Sequence, residues 1–284
     1  MNIHHIAVVG AGIMGNGIAQ VCALAGIEVS LIDISEEALE KGLATITGNL
    51  ERQLRKDSIS LSDKLAALGR ITLSTHYASM NQANFVIEAA SENLELKKRI
   101  LQQIDVAVGD HCIIATNTSS LSITELAATV SHPEQFIGLH FFNPVPVMSL
   151  IEVIRGLQTS EATHKAALAL SDMIGKSSVT VRNRPGFVVN RILCPMINEA
   201  IFVLQENLAS AKEIDMGMQL GCNHPIGPLA LADLVGLDTL LAALRSLHEG
   251  FDDPKYRPAQ LLKEMVAAGN LGRKSGRGFF NYDD

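Results

Sequence analysis

An apolar run, Ile6-Ala7-Val8-Val9, leads directly into Gly10-Ala11-Gly12-Ile13-Met14-Gly15 and then into the helical pattern Asn16–Ala25. Three glycines at those offsets arise by chance somewhere in such a chain roughly one time in ten, so the motif alone is weak. Its setting is what constrains the fold. The glycines follow a strand, open a helix and precede a second strand, Val29–Asp33, that ends in an acid. That is the order of a dinucleotide-binding βαβ unit. Gly10 serves the tight turn, Gly12 lets backbone approach a pyrophosphate, and Gly15 allows close helix–strand packing. Ile13 and Met14 complete the helix N-terminus, where unpaired N–H groups and the dipole favour an anion. Asp33 is placed to accept hydrogen bonds from both ribose hydroxyls and to repel a 2′-phosphate, which predicts NAD rather than NADP. The alternative is a glycine-rich turn followed by a surface acid.

From Ile3 to about Arg182, short β-rich runs alternate with amphipathic helical runs. This predicts an α/β fold with a Rossmann-like, doubly wound and mostly parallel sheet. The predicted strands are Ile6–Val9, Val29–Asp33, Ile71–Ser74, Phe85–Glu88, Ile113–Ala115 and Phe136–His140. A long polar helical stretch from Glu36 to about Lys56, followed by Leu61–Leu68, reads as a helical hairpin projecting from the sheet. After Pro185-Gly186 the strand signal stops, and Phe187–Leu208, Ala211–Leu220, Leu229–Leu234 and Leu237–Leu247 read as helices. The expected domains are therefore an NAD-binding domain, 1–184, and an all-α substrate and dimerisation domain, 185–284. The helical half carries apolar residues on more than one face, more than an exposed appendage needs, so a homodimer through it is expected.

At 284 residues, two domains with sizeable cores are the natural division. Hydrophobic residues make up 47% and charged residues 19%, the balance of a compact protein rather than a disordered one. The net charge of -7 argues against a nucleic-acid surface. Cys22, Cys112, Cys194 and Cys222 are scattered, without a C-x-x-C pair or a neighbouring His at ligand spacing. They read as buried thiols in a reducing compartment, with no metal site. The N-terminus lacks a basic n-region, and no apolar stretch reaches the ~20 residues that span a bilayer. The expected location is the cytoplasm, with no membrane partner.

A nucleotide fold does not specify chemistry, so function must be read from the site. Gly138-Leu139-His140-Phe141-Phe142-Asn143-Pro144-Val145-Pro146 puts His140 at the end of a predicted strand, on the edge where doubly wound sheets bind ligands. Glu152 lies within a second apolar run, Leu150-Ile151-Glu152-Val153-Ile154. A carboxylate there is costly to bury without a partner, and His140 is the obvious one. The pair would fix the imidazole tautomer, raise its basicity and leave the second ring nitrogen to take a proton from an alcohol as hydride departs. The alternative is a structural histidine at a strand end.

These residues, with Asn117-Thr118-Ser119-Ser120, Pro185-Gly186-Phe187-Val188-Val189-Asn190-Arg191 and the closing Gly272-Arg273-Lys274-Ser275-Gly276-Arg277-Gly278-Phe279, resemble the L-3-hydroxyacyl-CoA dehydrogenase family. The resemblance runs over essentially the whole chain, and its length is that of the short-chain bacterial 3-hydroxybutyryl-CoA dehydrogenases. It implies that His140 is the general base and Glu152 its orienting partner, with Ser119 and Asn190 holding the substrate oxygen. It further implies that Glu92, Lys97, Asn143 and Lys274 contact NAD, and that basic residues of the hairpin, Arg52 and Lys56, contact CoA.

Several of these residues have plainer readings. Ser119 is also a candidate N-cap for a helix at Ser122–Ala128. Asn190 is equally a polar residue on an exposed helix, and Lys97 a charge on a solvated helix face. Arg52 and Lys56, one turn apart, are by charge pattern alone an ordinary solvated face. Two rival functions share the fold: a gulonate-type hydroxy-acid dehydrogenase, and a non-catalytic, crystallin-like relative.

Overall fold

The computed structural model describes residues 3–282, which divide between Arg184 and Pro185 into two compact units. In the first, β1 (His5–Val9), α1 (Ile13–Leu24) and β2 (Glu28–Ile32) form the opening βαβ unit. The hairpin α2 (Glu36–Arg55) and α3 (Leu61–Gly69) follows, then β3 (Ile71–Ser74), β4 (Phe85–Glu88), α4 (Leu94–Ala107) and β5 (Ile113–Thr116). The unit closes with α5 (Ile123–Ala127), β6 (Phe136–Phe141), β7 (Leu150–Arg155), α6 (Glu161–Met173) and β8 (Ser177–Arg182).

The eight strands make one sheet in the order β3-β2-β1-β4-β5-β6-β7-β8. Every neighbouring pair is parallel except β6 with β7, so the last two strands run against the other six. The central strands are continuously buried: Phe85–Glu88 and Phe136–Phe141 have no exposed position. That pattern is expected of strands covered on both faces. The strand order reverses at β1 and β4, which opens a crevice at their carboxyl ends, where such sheets take ligands.

The hairpin is anchored rather than free. Leu39, Ile46 and Leu50 of α2 and Ala67 of α3 are buried in the same core as Ile18 of α1 and Leu31 of β2. Ser35 caps α2, and Ser60 with Asp63 forms a reciprocal capping box on α3, so each helix start is defined locally. One strand escaped the sequence reading. β8 is an edge strand with a mostly exposed pattern, so it carries no buried-run signal.

The second unit contains α7 (Val189–Gln205), α8 (Ala211–Cys222), α9 (Pro228–Val235), α10 (Leu237–Phe251) and α11 (Gln260–Ala267). Its core joins Ile197, Ile201, Leu229, Leu240, Leu244 and Leu262. The first helix is shorter than the expected Phe187–Leu208. Phe187 has φ 49°, a left-handed conformation that cannot begin a helix, and Asn207 has φ 56° past the other end. Asp233, 1% exposed, accepts from Phe279 N, Phe280 N and the Tyr282 hydroxyl, and so ties the closing glycine-rich segment to α9. Among the described residues, no helix is long and apolar enough to cross a membrane.

Candidate active site

Chain direction and glycine geometry build the first part of the site. β1 ends at Val9, and Gly10, at φ +105°, donates to Ile32 O at 2.7 Å. A Cβ on Gly10 would lie 2.8 Å from Ala89 O, and one on Gly15 would lie 1.7 Å from Gly10 O. Only glycine fits either place. At Gly12, the N-cap of α1, a Cβ would meet nothing within 4 Å, so the space in front of the helix is open to an anion. Asp33 follows β2, and its Oδ2 accepts from Ala11 N at 2.8 Å while Oδ1 accepts from Ser35 N at 3.2 Å. Each carboxylate oxygen keeps a second acceptor site for a ribose hydroxyl. The donor set therefore fits a dinucleotide. A cleft of about 370 Å³ beside it is lined by Gly12, Ile13, Lys41, Asn49, Asn143 and Pro144, among others. Lys41 and Asn49 had no motif to mark them in the sequence; helix spacing on α2 is the only signal that they share a face.

Antiparallel pairing builds the second part. β6 and β7 place His140 directly opposite Glu152, so both side chains leave the same face of the sheet. His140 Nδ1 lies 2.7 Å from Glu152 Oε2. Because an ionised carboxylate only accepts, the proton of this bond sits on Nδ1. Glu152 is 0% exposed and His140 is 7% exposed. Phe142 stacks obliquely on the imidazole at 4.5 Å between ring centroids. Asn117, just past β5, accepts from Phe141 N at 3.0 Å and so anchors the Asn117–Ser120 loop beside the histidine's strand.

Glu92 organises that loop. Its Oε1 accepts from the Thr118 hydroxyl at 2.6 Å, Ser119 N at 2.9 Å, Ser120 N at 3.1 Å, and the Ser119 and Ser120 hydroxyls at 3.2 and 3.1 Å. Burial alone would raise the Glu92 pKa; Lys97 and these donors outweigh it and hold the carboxyl below its usual range. Ser119 is therefore a loop residue bound to Glu92, and the cap of α5 is Ser122. Lys97 corrects the solvated-face reading. It is 0% exposed, bonded to both Glu88 oxygens at 2.8 and 2.9 Å and to Ala90 O at 3.2 Å, with Glu92 Oε2 at 3.7 Å. Glu88, which also accepts from the Thr116 hydroxyl at 2.5 Å, was missed. The signal was present: it is a carboxylate closing a buried strand, as suspicious as Glu152.

The remaining candidates are placed as follows. Arg52 is exposed on α2 and bonds Asn49, which in turn donates to Gln20 at 3.1 Å. Lys56 is exposed too, but it is the C-cap of α2 rather than part of the helix. In the second unit, Asn190 is the second residue of α7 and half-buried, and Lys274 donates to Asp238 at 2.7 Å. Cys22, Cys112 and Cys194 are buried, and burial pushes each thiol up to about 12. Cys222 is exposed at the end of α8, contrary to the expectation for all four.

The family model described as the NAD binding domain of 3-hydroxyacyl-CoA dehydrogenase matches residues 5–184, and that of its C-terminal domain matches residues 186–282. The chain is 48% identical over 280 residues to the 3-hydroxybutyryl-CoA dehydrogenase of Bradyrhizobium diazoefficiens, covering 99% of this chain and 96% of the relative. It is 45% identical over 278 residues to that of Clostridioides difficile, covering 98% and 99%. Among solved structures, (S)-3-hydroxybutyryl-CoA dehydrogenase from Ralstonia eutropha superposes with a TM-score of 0.97 at 60% identity, covering 100% of both chains.

Proposed function

The chain belongs to the 3-hydroxyacyl-CoA dehydrogenase family, and on that premise we propose that it oxidises L-3-hydroxybutyryl-CoA to the 3-oxoacyl-CoA with NAD, and catalyses the reverse. The single observation that carries the mechanism is the His140–Glu152 cross-strand bond at the carboxyl edge of the sheet. Glu152 holds the Nδ1 proton, and Nε2 takes the proton of the substrate's 3-hydroxyl while C3 loses a hydride. NAD, when bound, would supply the acceptor for that hydride. In the reverse direction the imidazolium returns its proton to the oxygen. Ser119 and Asn190 are proposed to hold that oxygen, and Glu92, with Asn143 and Lys274, to contact the cofactor. Lys97, saturated in the interior, acts by holding Glu88 and Glu92.

For the substrate's nucleotide arm we propose Arg52 and Lys56, both exposed near the end of α2. Replacing both with alanine is expected to raise KM for acetoacetyl-CoA roughly tenfold, since charge-assisted hydrogen bonds contribute about 1.5–3 kcal/mol when well formed and less when exposed. A shortened thioester without the nucleotide should be unaffected. Equal effects on both substrates would remove the CoA role of Arg52 and Lys56.

A homodimer through the helical unit is part of the proposal. Met216 and Leu220, one turn apart on α8, are 49% and 82% exposed, and Leu208 is 76% exposed, an apolar surface suited to an isologous contact. Sedimentation should give the mass of two chains; one chain's mass would exclude it. A cytoplasmic location is proposed as well, since three inert, buried thiols suit a reducing compartment, and cell fractionation tests it.

A further inference from the structure

Between His140 on β6 and Glu152 on β7 lies a loop that also carries Asn143. Within it Pro144–Met148 curls into a single helical turn, with Val147 N and Met148 N both donating to Pro144 O at 2.9 and 3.0 Å. The exposed end of a helical turn leaves carbonyls that need donors. Here they have one: Lys176 Nζ donates to Val145 O at 2.7 Å and to Met148 O at 2.6 Å.

Lys176 is delivered by the chain in a defined way. Gly175, at φ +69°, ends α6, Lys176 N donates to Ser171 O at 2.9 Å, and Ser177 N then pairs with Ser149 O at 2.8 Å to begin β8. The side chain is buried, at 7% exposure, and among the described residues no carboxylate lies within ion-pair distance of it. Burial lowers its pKa below the usual lysine range. Burying a cation without an anion is costly, and the two carbonyls are what compensate it.

The turn it grips is a partition. Asn143, Pro144 and Val145 line the cleft beside Gly12, Val147 and Lys176 line a second cavity of about 420 Å³, and Pro146 lines both. On the cleft side Val145 is 2% exposed and seated on α1, where a Cβ at Gly17 would come within 2.8 Å of it. On the other side the ammonium is the anchor.

We propose that Lys176 is a positioning residue for cofactor binding, its ammonium clamping the turn that carries Asn143 and so fixing the wall of the cleft beside Gly12. The inference rests on that cleft being the NAD site. It is tested by titrating NADH fluorescence in wild type, K176M and K176R, at a temperature where melting curves show each fully folded. K176M should bind NADH about tenfold more weakly, a loss of about 1.4 kcal/mol, and K176R should recover most of it. In steady state KM for NAD should rise while kcat at saturation is retained, a split that lost stability alone would not produce. Wild-type NADH affinity in folded K176M, or a fall in kcat with KM unchanged, overturns the role. Should K176M not fold, K176Q is read in the same way. Absence of NADH binding by wild type would instead overturn the cofactor site itself.

Discussion

Replacing His140 with alanine is expected to lower turnover of L-3-hydroxybutyryl-CoA by about 10² to 10⁴ while NADH still binds, because positioned acid–base catalysis contributes on that scale. The imidazole sits on β6, whereas the elements proposed to hold the dinucleotide are Gly12 at the start of α1 and Asp33 after β2, so the two functions fall to different strands. Proton transfer is therefore separable from cofactor binding. The substitution has a second effect, on stability. Glu152 is fully buried, and removing its 2.7 Å partner leaves a carboxylate less compensated, so H140A should melt below wild type. H140Q, which restores a donor near the same place but cannot exchange a proton, should regain stability and stay inactive. An active H140A would remove the histidine from the mechanism.

Replacing Asp33 with alanine should raise KM for NAD by roughly 10- to 100-fold, from the loss of charge-assisted bonding to the ribose worth about 1.5–3 kcal/mol in all. The same change should relax discrimination against NADP, since the repulsion of a 2′-phosphate disappears. The geometry adds a cause beyond direct contact. Asp33 also accepts from Ala11 N and Ser35 N, so its removal loosens the glycine turn and the start of α2 together. Kinetics with both cofactors measure this; an unchanged preference would take Asp33 out of the ribose site.

The dinucleotide unit was legible because its signals are local: Gly10, Gly12, Gly15 and Asp33 lie within one βαβ unit. Glu152 was legible for another reason, since an acid inside an apolar strand demands a partner. What the sequence did not reveal is register. The direct opposition of His140 and Glu152 depends on β7 turning back antiparallel, which no local pattern states. The burial of Lys97 was not legible, because its neighbours Glu95 and Lys98 look like a solvated helix face, while its partner Glu88 lies on the preceding strand. Phe187 fell in a helix by hydropathy, and only its left-handed backbone forbids that. Lys176 carried no signal at all, because its partners are backbone carbonyls in a distant loop.

The central claim is that His140 and Glu152 act as one unit in removing the hydroxyl proton. Initial rates of NADH formation from NAD and L-3-hydroxybutyryl-CoA by wild type, H140A, E152A and the double variant test it most directly. Wild type should turn over, both single variants should be slowed severely, and the double variant should be no slower than H140A, as for residues that function only together. No NADH from wild type, or losses that multiply in the double variant, would contradict it.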